Sequence, residues 1–168
     1  AGAPVAPGET GDLFVGGQRG VSLFAEYAGD PAATAAAFRE DGLFITGDKV
    51  RRGLDGFLYF ADRSKDMLKV GGENVAASEL ERVIAGVPGV AEVAVVAKKH
   101  PMLDEVPVAF VIPAAGQGGD LVQRIQDACA QALASFKQPH EVRLTDALPR
   151  STLEKVAKAE LRALLAAE

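Results

Sequence analysis

Thr46-Gly47-Asp48 closes a strand-like run, Leu43-Phe44-Ile45. A glycine there permits a tight turn, after which Asp48 presents two carboxylate oxygens outward. An acidic residue so placed can accept from both hydroxyls of a ribose, as one does in dinucleotide folds. It can equally be an ordinary turn aspartate. Arg63, after the run Phe57-Leu58-Tyr59-Phe60, offers a planar fork to sugar or phosphate oxygens, or a surface ion pair with Asp62 or Asp66. Gly71-Gly72, followed by Glu73-Asn74, allows positive φ or a close approach of backbone to a ligand; the plainer use is a tight turn. The full glycine spacing of a dinucleotide fingerprint is missing.

A fourth group stands near the C-terminal end: Pro149-Arg150-Ser151-Thr152-Leu153-Glu154-Lys155. The pattern predicts a helix over 154–165, which puts Lys155 in its first turn. The helix dipole disfavours positive charge there. That mismatch points to a task other than helix stabilisation, although a solvated lysine is the simpler reading.

The elements that must position these groups fall into two parts. Residues 1–64 read as strands and turns with one helix after Asp30, Pro31 being at its first position. Asp55-Gly56 beside a strand-like run signals a hairpin. This part holds many strand residues and little sign of a self-contained core, so it reads as the trailing edge of a larger, truncated domain. Residues 65–168 follow the order helix, strand, strand, helix, strand, helix. Ser78-Glu79-Leu80-Glu81 is a capping box for the first helix, and Asp120 caps the second. Val90–Ala97, Val106–Ile112 and Glu141–Leu144 are the strands. The fold class expected is α+β, with a three-stranded sheet covered by helices. The polar stretch 62–66 between the parts reads as a hinge.

Bulk properties exclude several roles. With 168 residues and a net charge of −5, the chain is large enough for a core and is no general polyanion binder. Lys98-Lys99-His100 reads as a solvated turn. The single cysteine, Cys129, rules out an internal disulfide and reads as a buried apolar residue. Neither His100 nor His140 has partners at metal-ligand spacing, so no metal site is expected. No apolar run approaches the ~18 residues of a membrane span and no signal peptide opens the chain, which makes a cytoplasmic protein the simplest expectation. Ala1 in place of Met fits a processed or fragmentary chain.

Taken in order, these residues resemble the adenylate-forming superfamily: acyl-CoA synthetases, peptide-synthetase adenylation domains and firefly-type luciferases. The resemblance begins loosely at Gly8–Leu13, firms at Asp41–Asp48 and continues to the last helix. It implies that Asp48 and Arg63 bind the nucleotide ribose and that Lys65 is the hinge of a mobile C-terminal lid. It implies that Gly71, Gly72 and Glu73 face the pantetheine arm of CoA, and that Lys155 is catalytic. Gly71-Gly72-Glu73-Asn74-Val75 and Asp104-Glu105 are most similar to the crotonobetaine/carnitine-CoA ligase group.

The implied reaction joins a small carboxylic acid to CoA through an acyl-adenylate, with ATP and CoA as substrates. Mg2+ is implied too, at a site in the missing part. Neither nucleic acid nor membrane is an expected partner, the missing N-terminal domain is one, and self-association stays open. Two departures stand out. The family's Ser/Thr-Gly before the catalytic lysine is Leu153-Glu154 here, and the phosphate loop with its lysine is absent. The chain is therefore expected to be inactive alone. The alternatives are a non-catalytic lid-like module that docks on a separate partner, or an adenylation domain loading a carrier protein in trans; the absence of a following carrier domain favours a free CoA ligase.

Overall fold

Val-rich runs bounded by turns form strands because branched side chains pack well on a pleated surface, and glycines at the run ends let the chain reverse. In the computed structural model, which describes residues 2–167, the chain forms two units that divide between Lys65 and Asp66.

The first unit is a three-stranded antiparallel sheet in the order β1 (Thr10–Val15), β2 (Phe44–Arg52), β3 (Leu58–Arg63). Its helix, α1 (Pro31–Ala36), starts as the sequence predicts, with the Asp30 carboxylate accepting from Ala33 N–H at 2.8 Å. The Asp55-Gly56 turn joins β2 to β3, with Gly56 at φ 84°. Phe24 gathers Tyr27, Phe38 and Phe44 around it at ring separations of 4.9–5.3 Å. No described hydrophobic residue of this unit is fully buried; the buried core begins at Leu68. Phe57 and Phe60 are 69% and 63% exposed.

The second unit is built on a five-stranded sheet: β4 (Met67–Val70), β5 (Glu73–Ala76), β6 (Val90–His100), β7 (Asp104–Pro113) and β8 (Glu141–Leu144). The order is β5-β4-β7-β6, with β8 alongside β7 and parallel to it. Three strands were expected, and β4 and β5 are the two that sequence patterning did not find. Each is four residues long, too short for alternation to register, and Gly71-Gly72 closes them into a hairpin.

Helices cover both faces of this sheet. Residues alternate along β6 and β7, so Val95, Ala109 and Val111 face α2 (Ala77–Ala85) and α3 (Leu121–Ala132), where Leu80, Ile84, Leu121, Ile125 and Cys129 are buried. Ala94, Val96, Val108 and Phe110 face α4 (Lys158–Ala166), whose Leu161 and Leu165 are buried one turn apart. Strands covered on both faces read as continuous apolar runs, which is the sequence seen. Each large side chain buried here contributes about 1.5–3 kcal/mol.

Local capping differs from expectation. Helix α2 starts behind Ala76, which makes no side-chain cap, and Glu81 turns to the sheet, where Oε1 accepts from Val95 N–H and pairs with Lys158 at 2.7 Å. Asp120 stands at the N-cap of α3 without a capping bond; Arg124 takes its carboxylate at 3.0 Å. At Glu81 a sheet amide and a distant ammonium outcompete the local helix donor; at Asp120 the competitor is an arginine one turn along the same helix. Lys98, Lys99 and His100 end strand β6 and form no turn, and Lys99 pairs with Asp104 and Glu105 at 3.2 and 3.0 Å. No described helix is long and apolar enough to cross a membrane.

Candidate functional site

Thr46-Gly47-Asp48 lies inside strand β2 and not at its end. The ladder with β1 pairs Asp12 with Lys49 and Phe14 with Ile45, so three residues of β2 bulge opposite Leu13 alone. Gly47 takes φ 75°, a conformation that a side chain would disfavour. The Thr46 hydroxyl fastens the bulge, donating to Leu13 O at 2.8 Å and accepting from Asp48 N–H at 3.0 Å. A bulge re-aims the side chain that follows it. Asp48 is paired in register with Arg63 of β3, and Arg63 Nε donates to Asp48 Oδ1 at 3.0 Å. The two residues proposed for one ligand are thus brought together. The partners named for Arg63 by sequence were Asp62 and Asp66. The Asp62 carboxylate accepts from the Arg63 backbone N–H at 2.7 Å, and Asp66 pairs with Arg162 at 2.9 Å.

Lys65 is exposed in a single helical turn, Ser64–Asp66. Its neighbours are fastened on either side. Ser64 donates to Asp12 of the first unit at 3.2 Å, and Asp66 is tied to Arg162 of the second unit's last helix. Asp12, which also accepts from Lys49 Nζ at 2.9 Å, is held below the usual carboxylate range chiefly by that ammonium.

Gly71 and Gly72 form the two-residue turn of the β4–β5 hairpin at φ 59° and 90°, the geometry that requires glycine or asparagine. A Cβ at Gly72 would meet nothing within 4 Å, so this glycine leaves open surface beside exposed Glu73. The hairpin is anchored where β7 begins: Val70 pairs with Asp104, and Gly71 N–H donates to Leu103 O at 2.9 Å.

Lys155 is not in a helix. Helix α4 starts three residues later, at Lys158, and 151–155 form an exposed turn. The turn is closed by an antiparallel bridge between Arg150 and Val156, by Ser151 N–H donating to Lys155 O at 2.8 Å, and by Ala157 N–H donating to Pro149 O at 2.8 Å. Glu154 has φ 58°, which no helix accommodates and which only one other described non-glycine residue, Asp104, shares. That is why the periodicity 154–165 does not become helix from its start. The position is the one where the resemblance expects glycine, and the backbone here explains that choice. Among the described residues no carboxylate pairs with the Lys155 ammonium, Glu154 included. Lys155 therefore stands clear of the helix dipole, exposed and unpaired.

The Gly71-Gly72 turn and the Lys155 turn lie at opposite ends of the sheet. The first sits beside Asp104, at the start of β7. The second is tied through Arg150 to Glu92, which pairs with Ile112 near the end of β7. Eight residues of strand at about 3.3 Å each separate these ends by roughly 26 Å. Among the described residues no three His, Cys, Asp or Glu side chains gather into a metal-sized group.

A family model described as the AMP-binding enzyme C-terminal domain matches residues 79–155. A crotonobetaine/carnitine–CoA ligase of Salmonella arizonae is 38% identical over 157 residues, which is 93% of this chain and 30% of the ligase. Residues 79–155 thus match an AMP-binding enzyme C-terminal domain, and the chain is similar along nearly all its length to acid–CoA ligases. Two solved structures agree in fold. ATP-bound MatB from Rhodopseudomonas palustris superposes with TM-score 0.82 at 34% identity, over 95% of this chain and 31% of that one. The anthranilate CoA ligase AuaEII with anthranoyl-AMP gives TM-score 0.85 at 30% identity, over 99% of this chain and 33% of that one. The chain thus spans about a third of the length of the adenylate-forming enzymes it matches.

Two residues that support the site, Asp12 and Arg150, carry no strong mark in the sequence. Asp12 fastens Ser64, but its partner is fifty-two residues away, and nothing local marks it. Arg150 stands next to the turn that it supports, and its position between Pro149 and the lysine was the available signal.

Proposed function

We propose that this chain is the C-terminal part of an ATP-dependent carboxylic acid–CoA ligase and acts as the ribose-binding edge and mobile lid of that enzyme. One observation carries the proposal. The Gly71-Gly72 hairpin and the Lys155 turn are tied to opposite ends of one sheet, at β7 positions Asp104 and Ile112 that are about 26 Å apart along the strand, so both reach one reacting centre only in turn, by reorientation of the second unit. Lys65, exposed between the fastened residues Ser64 and Asp66, supports a pivot at that point.

In the first half-reaction a carboxylate oxygen of the acid attacks the α-phosphorus of ATP, and the bond to pyrophosphate breaks. Asp48 accepts from the ribose hydroxyls, and Arg63 steadies Asp48 and the sugar. The Lys155 ammonium, unpaired in its turn, offsets the negative charge that builds on the reacting oxygens. The unit then pivots at Lys65, withdrawing Lys155 and presenting the open surface of Gly71, Gly72 and Glu73. A CoA thiol attacks the acyl carbon, and AMP leaves with the bonding electrons. Exchange of lids lets one site serve two reactions. Magnesium would enter with the triphosphate, bound by residues beyond this chain.

The test is carboxylate-dependent ATP–pyrophosphate exchange over a panel of acids that includes carnitine and crotonobetaine. It compares this chain alone with a chimera in which the chain replaces the matching segment of a crotonobetaine/carnitine–CoA ligase. Exchange is expected in the chimera only. Lys155→Ala should lower it by about 10²–10³-fold while thioester formation from supplied acyl-adenylate persists. Equal losses in both half-reactions, or a folded chimera without exchange beside an active parent, would overturn the proposal.

A further inference from the structure

We propose that Arg150 is a positioning residue for Lys155, holding the lysine turn against the sheet through a two-ended clamp; this rests on the role proposed above for Lys155. The turn has little packing to hold it. Residues 151–155 are all exposed, and Leu153 at its tip is 77% exposed. Its backbone also carries Glu154 in the left-handed region, φ 58°, where L side chains are disfavoured. A loop of this kind drifts unless something fixes it, and a charge that must meet a developing charge tolerates little drift.

Arg150 supplies the fixing. Its Nη1 donates to the carbonyl oxygen of Glu154 at 3.2 Å, and its Nη2 pairs with the Glu92 carboxylate of β6. Glu92 is itself held in the ladder opposite Ile112. The chain of contacts runs from sheet to Glu92, to the guanidinium, to the peptide group that immediately precedes Lys155. Fixing that peptide plane fixes the direction in which the lysine side chain leaves the backbone. A guanidinium suits the task because its donors lie in one rigid plane and can hold two acceptors at once; an ammonium is a point charge on a flexible stem.

The plainer reading is a surface ion pair. Both partners are well exposed, so the pair adds little to global stability and its removal leaves the fold intact. That makes the clamp testable apart from folding.

The experiment compares wild type, Arg150→Ala, Arg150→Lys and Glu92→Ala. Arg124→Ala serves as a control, because it removes a like arginine that bonds both a carboxylate and a carbonyl elsewhere in the unit. In this chain, amide exchange is read at Ser151, Glu154 and Ala157. Arg150→Ala should speed exchange there and leave the β6–β7 amides as they are. In the chimera, Arg150→Ala should lower adenylation kcat by about 10–100-fold, with KM for ATP unchanged and thioester formation from supplied acyl-adenylate retained. Arg150→Lys should recover part of the loss, and Glu92→Ala should share it. Unchanged amide exchange, or equal losses in both half-reactions, would overturn the clamp. A harmless Arg150→Ala beside a crippling Lys155→Ala would overturn the positioning alone. A harmless Lys155→Ala would overturn the lysine's role and the positioning with it.

Discussion

Arg63 and Asp48 occupy paired positions on neighbouring strands, and the guanidinium Nε donates to the carboxylate at 3.0 Å. The bulge at Gly47 and the Thr46 hydroxyl aim the carboxylate before any ligand arrives. A pre-aimed acceptor loses little freedom on binding. Asp48→Ala in the chimera is therefore expected to raise KM for ATP roughly tenfold to a hundredfold, the cost of a charge-assisted hydrogen bond. Arg63→Ala should do so less, because Asp48 keeps its backbone aim. Steady-state kinetics at varied ATP check this, and an unchanged KM for Asp48→Ala would remove the carboxylate from the ribose.

Glu154→Gly tests the backbone strain next to Lys155. Left-handed backbone costs an L residue about 1–2 kcal/mol, whereas an added glycine costs about 0.4–1 kcal/mol through the unfolded chain. The first term wins, so Glu154→Gly should stabilise the chain by about 0.5–1 kcal/mol, read as a higher urea midpoint at constant slope. A lower midpoint would show that the turn does not carry this strain.

Leu80 and Leu153 offer a paired test of where the core lies. Leu80 is fully buried between α2 and the sheet, and Leu153 stands in solvent. Leu80→Ala should cost about 2–5 kcal/mol, and Leu153→Ala should fall within about 0.5 kcal/mol of wild type. Denaturant unfolding followed by far-ultraviolet dichroism distinguishes them.

The first unit should weaken in acid through Asp12. The Lys49 ammonium lowers the Asp12 carboxyl below its usual 3.8, with a smaller contribution from Ser64. A depressed folded pKa means that the unfolded chain takes up the proton first. The stabilisation is complete above the usual value and is lost as pH falls through the lowered one. Tyr27 and Tyr59 are the chain's two tyrosines and there is no tryptophan, so intrinsic fluorescence reports on this unit alone. Asp12→Asn should flatten the acid limb of the fluorescence-monitored melting curve; an unaltered limb would refute the pairing.

Apolar surface on β3 gives a last test. Leu58 and Phe60 are 57% and 63% exposed, in a unit where no described hydrophobic residue is fully buried. The chain alone should bind a hydrophobic dye, and Leu58→Ser with Phe60→Ser should abolish most of that signal. Dye binding that survives both changes would place the apolar surface elsewhere.

Much of the second unit was legible because its signals are local. The apolar faces of α2 and α3 repeat every three or four residues, and the Val-rich runs of β6 and β7 mark strands covered on both sides. The Asp30 cap and the Asp55-Gly56 hairpin are likewise written in neighbouring residues. The types of Asp48, Arg63, Gly72 and Lys155 could also be read from the chain.

Their geometry could not, because it depends on partners far away in sequence. The pairing of Asp48 with Arg63 needs the register of β2 on β3, and the bulge at Gly47 needs Leu13 thirty-four residues earlier. Glu81 looks like a local cap, but Val95 and Lys158 claim its carboxylate, since a folded neighbour offers a stronger partner than a helix end in water. The helical pattern 154–165 was real from Lys158 onward only. The Arg150–Val156 bridge and the positive φ of Glu154 hold the preceding residues in a turn. Sequence by itself determined which residues were available for chemistry and which faces were apolar, because composition and periodicity act over a few residues. Tertiary structure decided where those residues point, because hydrogen-bond register and strand pairing are settled only when distant segments meet.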